Sequence, residues 1–233
     1  MPFLPDTTRR HVEPELMDSP SLGRECHEAA LRGLARINTV SRSAPKIWSV
    51  LRSSLTGDRD GPYRVLDLGC GGGDVAAGLK RQAAREGVSL SVDGCDVSEQ
   101  ALQLARARAP HAAFFRLDAL TDPLPTGYDA MVSSLFLHHL SREEATRLLR
   151  RMSEAAPAIA VNDLTRGASG YVVAALGTRF LTRSPIVHVD ALRSVRAAFT
   201  PEEARDLARE AGLEGAWVRR AFPWRWLLGW TRP

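Results

Sequence analysis

The segment that decides the fold is Val65-Leu66-Asp67-Leu68-Gly69-Cys70-Gly71-Gly72-Gly73-Asp74, in which an apolar run passes directly into a cluster of glycines. A short apolar run is typical of a buried strand, and glycines allow a tight turn and a close approach of the backbone to a ligand. A helix that begins after such a turn adds partial positive charge at its N-terminus. The segment therefore predicts a strand, a ligand-binding turn and a helix, in that order.

Further apolar runs follow at intervals that leave room for helices, which is typical of a parallel sheet built from β-α-β units. Strands are predicted at residues 64–68, 90–95, 113–117, 129–135 and 158–162. Between them, Ser98 has the position of a helix N-cap, and Ser141 and Thr200 each begin a capping box. From Leu213 onward the helical period is lost, so we predict a closing β-hairpin whose last strand is antiparallel.

The first sixty residues have a different pattern. Between residues 22 and 55 the apolar side chains recur at spacings of three and four, which predicts two amphipathic helices with a break near 41–45. The sequence TGDRDGP at residues 56–62 has the composition of a linker. We therefore expect an N-terminal helical cap or lid at 1–60 and a main domain at 61–233.

Composition and charge are those of an ordinary globular chain, with 233 residues, 44% hydrophobic side chains and a net charge of +4. Three widely spaced cysteines exclude a zinc knuckle and a disulfide framework. No apolar window is long enough for a signal peptide or a membrane helix, so we expect a cytoplasmic protein without a transmembrane segment. Because the basic residues are scattered rather than gathered in a stripe, no nucleic-acid partner is expected.

The glycine cluster has two interpretations. A dinucleotide-binding GxGxxG loop fits Gly69 and Gly71 but requires a glycine where Asp74 stands. The pattern Asp67-x-Gly69-x-Gly71-x-Gly73 resembles instead the first motif of the class I S-adenosylmethionine-dependent methyltransferases of the small-molecule type. The resemblance continues in order over about residues 63–163, and it implies a Rossmann-like α/β fold with a seven-stranded, mostly parallel sheet under an N-terminal helical cap.

The resemblance also implies S-adenosylmethionine as cofactor. In that family an acid like Asp67 faces the methionine amino group, one like Asp96 accepts hydrogen bonds from the ribose hydroxyls, and one like Asp118 lies at the adenine amino group. Asp96 by itself would also suit the ribose of a nicotinamide cofactor. The expected cofactor-binding residues are Asp67, Gly69, Cys70, Gly71, Gly73, Asp96, Val97, Asp118, Ala119 and Ser133.

Three histidines are candidates for a general base. A sulfonium methyl group is already activated, so its transfer chiefly needs an aligned nucleophile, which must lose its proton if it is a hydroxyl. A phenol with a pKa of about 10 gains from a base near neutral pH, which favours histidine. His138 and His139 stand in an LHHL sequence that resembles the family's loop after the fourth strand, and His188 lies in a later insertion. A packing role for His138 and His139 remains an alternative.

The insertion, at about residues 163–199, occupies the place where this family often has substrate-shaping elements. Its helical segment around Tyr171 has an apolar face that suits a pocket, a core or a dimer contact. We expect Arg42, Asp163 and Tyr171 to contact the substrate. No metal site is expected, because Ser133 and Ser134 stand where catechol-type methyltransferases have a carboxylate ligand.

Together these patterns predict a methyltransferase that acts on a small molecule. O-methylation of a phenolic or polyketide-like acceptor of secondary metabolism is the favoured reaction. The alternatives are C- or N-methylation of a small molecule, as in quinone-type biosynthesis, and a non-catalytic subunit that retains the fold. A homodimer is possible, and the fold does not identify the acceptor.

Overall fold

In the computed structural model, which describes residues 6–19, 21–55 and 60–233, a seven-stranded sheet lies between two layers of helices. The strands are β1 Tyr63–Leu68, β2 Leu90–Asp96, β3 Phe114–Arg116, β4 Ala130–Ser134, β5 Ala158–Leu164, β6 Trp217–Ala221 and β7 Arg225–Thr231. Their order across the sheet is β3-β2-β1-β4-β5-β7-β6. β1 to β5 are parallel, and β7 is antiparallel to both of its neighbours. The predicted fold is confirmed, and each predicted strand is correct to within two residues at either end.

Eight α-helices are assigned in this part of the chain, and three of them begin directly after a predicted capping residue. They are α1 Arg24–Val40, α2 Ser43–Leu51, α3 Asp74–Arg85, α4 Glu99–Arg108, α5 Arg142–Ala155, α6 Ala168–Leu181, α7 Pro185–Ala197 and α8 Pro201–Glu210. Ser98 Oγ accepts a hydrogen bond from the Ala101 amide, and Ser141 and Thr200 both form complete capping boxes. The break between α1 and α2 falls at Ser41 and Arg42, where Arg42 has a left-handed backbone with φ of 55°.

Both faces of the sheet are covered, so alternate residues of each strand belong to different cores. Leu66 of β1 packs in the core beneath α5 and α8, whereas Val65 packs in the core beneath α2, α3 and α4. Ile47 and Leu51 of α2 are fully buried in that second core. Helix α2 is therefore part of the layer that covers the sheet. Helix α1 lies outside that layer, over the carboxyl ends of the strands.

Helices α1, α6 and α7 lie over the carboxyl ends of the parallel strands. Gly33 of α1 allows a close approach to the segment between α6 and α7, because a Cβ there would stand 2.6 Å from Thr182 Oγ1. The predicted linker falls largely on residues 56–59, which are outside the described residues. Across the described ranges, no helix combines the length and the apolar character that a membrane crossing requires.

Candidate active site

A cavity of about 510 Å³ opens at the carboxyl ends of β1, β2, β4 and β5. Its floor contains the glycine loop after β1, Asp96 at the end of β2 and the turn after β4. Its walls are apolar side chains from α1, α6 and α7, namely Leu31, Leu34, Ile37, Val173, Ala174, Leu181, Val187, Ala191 and Val195. Ligands of open α/β sheets bind at this edge of the sheet.

The glycine loop forms a cradle in the cavity floor. Gly69 and Gly71 both line the cavity and both have left-handed backbones, with φ of 66° and 50°. A Cβ on Gly69 would stand 2.9 Å from the ring of Phe136. Because a side chain is excluded here, the loop backbone itself is left to face a ligand.

Three of the predicted cofactor residues shape this loop without lining the cavity. Gly73 lets α3 approach α4, since a Cβ there would stand 2.8 Å from the Ala105 Cβ. Cys70 is buried, and burial raises the pKa of its thiol well above the usual value. Ser133 Oγ donates a hydrogen bond to the carbonyl of Leu68 at 3.2 Å and so joins β4 to β1. These positions support the loop indirectly.

Asp96 is the carboxylate that faces the cavity at the end of β2. Its Oδ2 accepts a hydrogen bond from the Gly71 amide at 2.8 Å, and its Oδ1 accepts one from the Ser98 amide at 2.9 Å. Burial raises the pKa of Asp96, while these two bonds oppose that rise. Each oxygen keeps a lone pair for a further donor, which suits a diol. Val97, also predicted, lines the cavity beside it.

Asp67 lies at the base of the loop and is almost completely buried. Its Oδ2 has no hydrogen-bond partner among the described residues. Burial, together with Asp74 and Asp96, raises its pKa well above the usual range. A buried oxygen without a partner is rare in native structures, so this atom calls for a donor.

Asp118 and Ala119 lie beyond β3, at the same edge of the sheet but outside the cavity lining. Asp118 Oδ1 accepts a hydrogen bond from the Leu120 amide at 2.9 Å, which fixes the local turn. Ala119 is buried in the core. The part of the cavity nearest to them is lined by Val97, Ser98 and Ala101.

His138 is held between two carboxylates. Its Nδ1 is 2.7 Å from Asp163 Oδ1, and its Nε2 is 3.5 Å from Glu15 Oε1. Burial alone would lower the pKa of His138, but Asp163 and Glu15 raise it to about 10. This pKa makes His138 a cation at neutral pH, which does not favour its predicted role as a free base. Asp163 is the partner of His138 and lies outside the cavity lining, so the structure gives no support to its predicted contact with substrate.

His139 lies beside His138, with ring centroids 4.3 Å apart, and it lines the cavity. Its Nε2 is 4.0 Å from Glu15 Oε1, and its Nδ1 is 3.5 Å from Asp18 Oδ2. Burial and the adjacent His138 cation lower the pKa of His139 to about 4. At neutral pH it is an uncharged imidazole at the cavity wall.

Three predicted site residues are not brought to the cavity. His188 Nε2 is 2.9 Å from the Thr182 carbonyl, and it lies on α7 outside the lining. Tyr171 of α6 is also outside the lining, although its neighbour Gly170 is part of it. Arg42 is exposed between α1 and α2. The structure thus gives no support to these three roles, because Tyr171 and His188 are helical residues outside the lining and Arg42 lies in the exposed turn before α2.

Sequence reasoning missed two groups that do line the cavity. Glu15 and Asp18 belong to an N-terminal segment that is held to α7, where the amides of Leu16 and Met17 donate to the Asp190 carboxylate at 2.7 and 2.9 Å. No motif marks this segment. Arg225 is buried at the start of β7, and a charged residue among the apolar residues of the closing hairpin was the signal that could have identified it.

Glu15, His138 and His139 each direct a potential ligand atom to one point, with all three atoms within 4.8 Å of one another. Two imidazoles and a carboxylate are a set that can hold a divalent metal ion. Asp163 and Glu15 already account for both ring nitrogens of His138, so a metal ion would have to displace a proton.

Comparisons with known proteins agree with this architecture. A family model described as a methyltransferase domain matches residues 65–156. The chain is 28% identical over 175 residues to a ubiquinone biosynthesis O-methyltransferase of Thiobacillus denitrificans, covering 72% of this chain and 69% of that protein. A protein of the same name from Alkalilimnicola ehrlichii is 30% identical over 125 residues, covering 51% and 48%.

Solved structures of methyltransferases share the fold. The S-adenosylmethionine-dependent methyltransferase SibL matches with a TM-score of 0.66, 23% identity and coverage of 99% of this chain. Human N-acetylserotonin methyltransferase matches with a TM-score of 0.64, 16% identity and coverage of 90% of this chain. The matches cover 64% and 57% of those two proteins. The chain contains a methyltransferase domain at residues 65–156, and in this domain, its sheet order and these relatives it is similar to the class I S-adenosylmethionine-dependent methyltransferases.

Proposed function

We propose that the cavity binds S-adenosylmethionine at the glycine loop and a small hydroxylated acceptor beneath α1, α6 and α7, and that the methyl group passes to an acceptor oxygen. The observation that carries this proposal is that Asp96 and the cluster of Glu15, His138 and His139 face one apolar cavity. The relatives named O-methyltransferases support oxygen as the methylated atom.

The described residues fit the cofactor. Asp96 has free lone pairs for the ribose hydroxyls, and Gly69 and Gly71 offer backbone without side chains. Asp67 has an unpartnered oxygen beneath the loop, although it does not reach the cavity lining. When bound, S-adenosylmethionine supplies a methyl group on a sulfonium centre. Contacts of Asp118 and Ala119 with the adenine remain part of the proposal.

The apolar walls indicate the kind of acceptor. Because α1 and α6 contribute mostly hydrocarbon, and α7 adds Val187, Ala191 and Val195 beside the polar Asp190 and Ser194, the walls favour a ring or chain and exclude water from the reacting atoms. The polar residues at the far wall are Glu15, Asp18 and His139, which offer hydrogen-bond acceptors to a hydroxyl. A phenolic or polyketide-like molecule has both an apolar body and such a hydroxyl.

Within this cluster we assign His139 as the base that accepts the proton of the acceptor hydroxyl. It is the predicted histidine that is uncharged and lines the cavity, whereas His138 is already a cation. The charge that develops on His139 is opposed by His138 and favoured by Glu15, whose carboxylate is 4.0 Å away. A pKa of about 4 makes His139 a weaker base than the near-neutral one that the sequence predicts, and Glu15 offsets the charge as His139 takes up the proton.

The cellular location, the kind of metabolism and the division into domains belong to the same proposal. We propose a cytoplasmic enzyme of secondary metabolism, in which α1 and the N-terminal segment within residues 1–60 cover the main domain at 61–233. A homodimer belongs to this proposal, and the alternatives that the test must address are a C- or N-methyltransferase and a non-catalytic subunit that retains the fold.

The test is calorimetric binding followed by location of the methyl group. The protein is titrated with S-adenosylmethionine, S-adenosylhomocysteine and NADH, and phenolic acceptors are then incubated with methyl-¹³C-labelled cofactor. We expect both adenosyl ligands to bind, NADH not to bind, and the carbon shift of the product to be that of a methoxy group. Binding of NADH alone would refute the cofactor, and a methyl group on carbon or nitrogen would refute O-methylation.

A further inference from the structure

Arg225 is a charged residue of the cavity wall that the proposed function does not yet use. It lies at the start of β7, opposite Leu164 of β5, and its residue is only 2% exposed. Burying a guanidinium is costly unless hydrogen bonds and an anion compensate for the lost water. The hydrogen bonds and ion pairs of Arg225 therefore show whether its guanidinium is fully compensated.

The contacts of Arg225 satisfy only part of the guanidinium. Nη2 donates to Ser41 Oγ at 2.9 Å and more weakly to Asn38 Oδ1 at 3.5 Å, and both of these partners are uncharged. Nη1 is buried and has no hydrogen-bond partner in the described part of the chain. No carboxylate of those residues forms an ion pair with Arg225, although Asp74 and Asp163 lie close enough to influence it. A charged donor is thus left over at the cavity wall.

Lys46 adds a second positive charge near Arg225, in addition to the carboxylates of Asp74 and Asp163. Lys46 donates to the carbonyl of Ser41, and burial together with Arg225 and Arg42 lowers its pKa to about 8. The opposite wall contains Glu15, Asp18 and Asp190. The cavity is therefore polarised, with an anion favoured beside Arg225 and Ser41 and disfavoured at the far wall.

We infer that Arg225 and Ser41 form a subsite that binds a carboxylate group inside the cavity. A guanidinium matches a carboxylate in shape and charge, and Nη1 supplies the free donor. The inference rests on the proposed function, because it names a contact to a ligand of that cavity.

Two ligands could supply the carboxylate, namely the amino-acid end of the cofactor and an acidic acceptor. The link to the glycine loop favours the cofactor. Asn38 Nδ2 donates to Asp74 Oδ2 at 3.1 Å, and Asp74 directly follows the loop, so the Arg225 network lies beside the loop that we assign to the cofactor.

The experiment compares two adenosyl ligands that differ in the amino-acid end. S-adenosylhomocysteine has the carboxylate, and 5′-methylthioadenosine lacks the amino-acid end. In calorimetric titrations, Arg225→Gln is expected to weaken binding of S-adenosylhomocysteine by about 10- to 100-fold and to leave binding of 5′-methylthioadenosine unchanged. The unchanged ligand shows that the variant is folded. Arg220→Gln, on the exposed strand β6, is the matched control and should affect neither ligand.

A second arm identifies an acidic acceptor as the source. Binding of 4-hydroxybenzoate and of phenol is measured with wild-type protein and with Arg225→Gln. If only 4-hydroxybenzoate loses affinity while S-adenosylhomocysteine does not, the subsite holds and the acceptor supplies the carboxylate. Equal losses for S-adenosylhomocysteine and 5′-methylthioadenosine, or no loss for any of the four ligands, would overturn the subsite.

Wild-type protein gives a further test in case Arg225→Gln does not fold. If decarboxylated S-adenosylhomocysteine and phenol bind as tightly as their carboxylate-bearing counterparts, no carboxylate subsite exists. If neither adenosyl ligand binds the wild-type protein, the proposed cofactor is wrong, and the subsite is judged on 4-hydroxybenzoate against phenol alone.

Discussion

The Nδ1 atom of His138 lies 2.7 Å from Oδ1 of Asp163, and this pair joins the turn after β4 to the end of β5. Asp163 also accepts a hydrogen bond from the backbone amide of His138 at 3.2 Å. Both ends of the contact are buried, so the turn has one orientation. That orientation places the next residue, His139, at the cavity wall.

Replacement of Asp163 by asparagine should destabilise the protein. The Asp163→Asn change leaves His138 with one carboxylate partner in a buried site, and breaking such a pair costs about 3 kcal/mol or more. Chemical denaturation measures the loss. The control is Asp206→Asn on the exposed surface of α8, which should change stability by less than about 1 kcal/mol. Equal stabilities of the two variants would show that the buried ion pair is unimportant.

His138 should also make stability depend on pH. Its pKa is raised from 6.5 in the unfolded chain to about 10 in the fold, because Asp163 and Glu15 overcome the effect of burial. The contribution is therefore complete below about pH 6.5 and is lost as the pH rises through 10. We expect the difference in unfolding free energy between wild type and His138→Asn to be constant between about pH 5 and 6.5 and to shrink steadily above neutrality. It should also shrink in strong acid, because Asp163 and Glu15, whose pKa values are lowered in the fold, then become protonated. A difference that grows above about pH 6.5 would contradict the cationic state of His138.

Much of the fold follows from local patterns. The run Val65–Leu68 and the glycines after it predict β1 and its loop, because burial and backbone freedom leave few alternatives there. Ser98, Ser141 and Thr200 likewise begin their helices as capping chemistry requires. These features depend on neighbours in sequence, which is why the sequence alone was enough.

The candidate site was predicted less completely because it depends on contacts between distant segments. Glu15 reaches His138 over more than a hundred residues, and it is this contact, with Asp163, that turns the expected base into a cation. Arg225 reaches Ser41 in the same way. The prediction for His188 lacks support for a different reason, since membership of a helix in the cavity wall does not fix which of its residues face inward.

Asp96 should control cofactor affinity. In Asp96→Ala the charged acceptor at the end of β2 is removed, together with its bonds to the Gly71 and Ser98 amides. We expect S-adenosylmethionine binding to weaken by about 2–3 kcal/mol in calorimetry. Asp206→Ala, on α8 and outside the cavity lining, is the control and should retain the wild-type affinity. Unchanged binding in Asp96→Ala would place the ribose elsewhere.

His139 should affect turnover rather than cofactor affinity. Loss of a positioned base usually lowers the rate by about 10²- to 10⁴-fold, so His139→Ala is expected to fall in that range while S-adenosylhomocysteine binding is retained. His188→Ala is the matched control, because His188 lies in the neighbouring wall helix but outside the lining. Steady-state rates measure turnover of both variants, and calorimetry measures their affinity for S-adenosylhomocysteine. A wild-type rate in His139→Ala would remove it from the mechanism.

Chelation distinguishes an imidazole base from a metal ion at the same cluster. Glu15, His138 and His139 could hold an ion, but the proposed mechanism uses His139 as a free base. Treatment with EDTA is therefore expected to leave turnover unchanged, and added Zn²⁺ should not increase it. If EDTA instead abolished turnover and Zn²⁺ restored it in wild type but not in Glu15→Gln, the cluster would be a metal site. His139 would then be a ligand, and deprotonation of the acceptor would depend on the ion, because a bound cation favours the ionised hydroxyl.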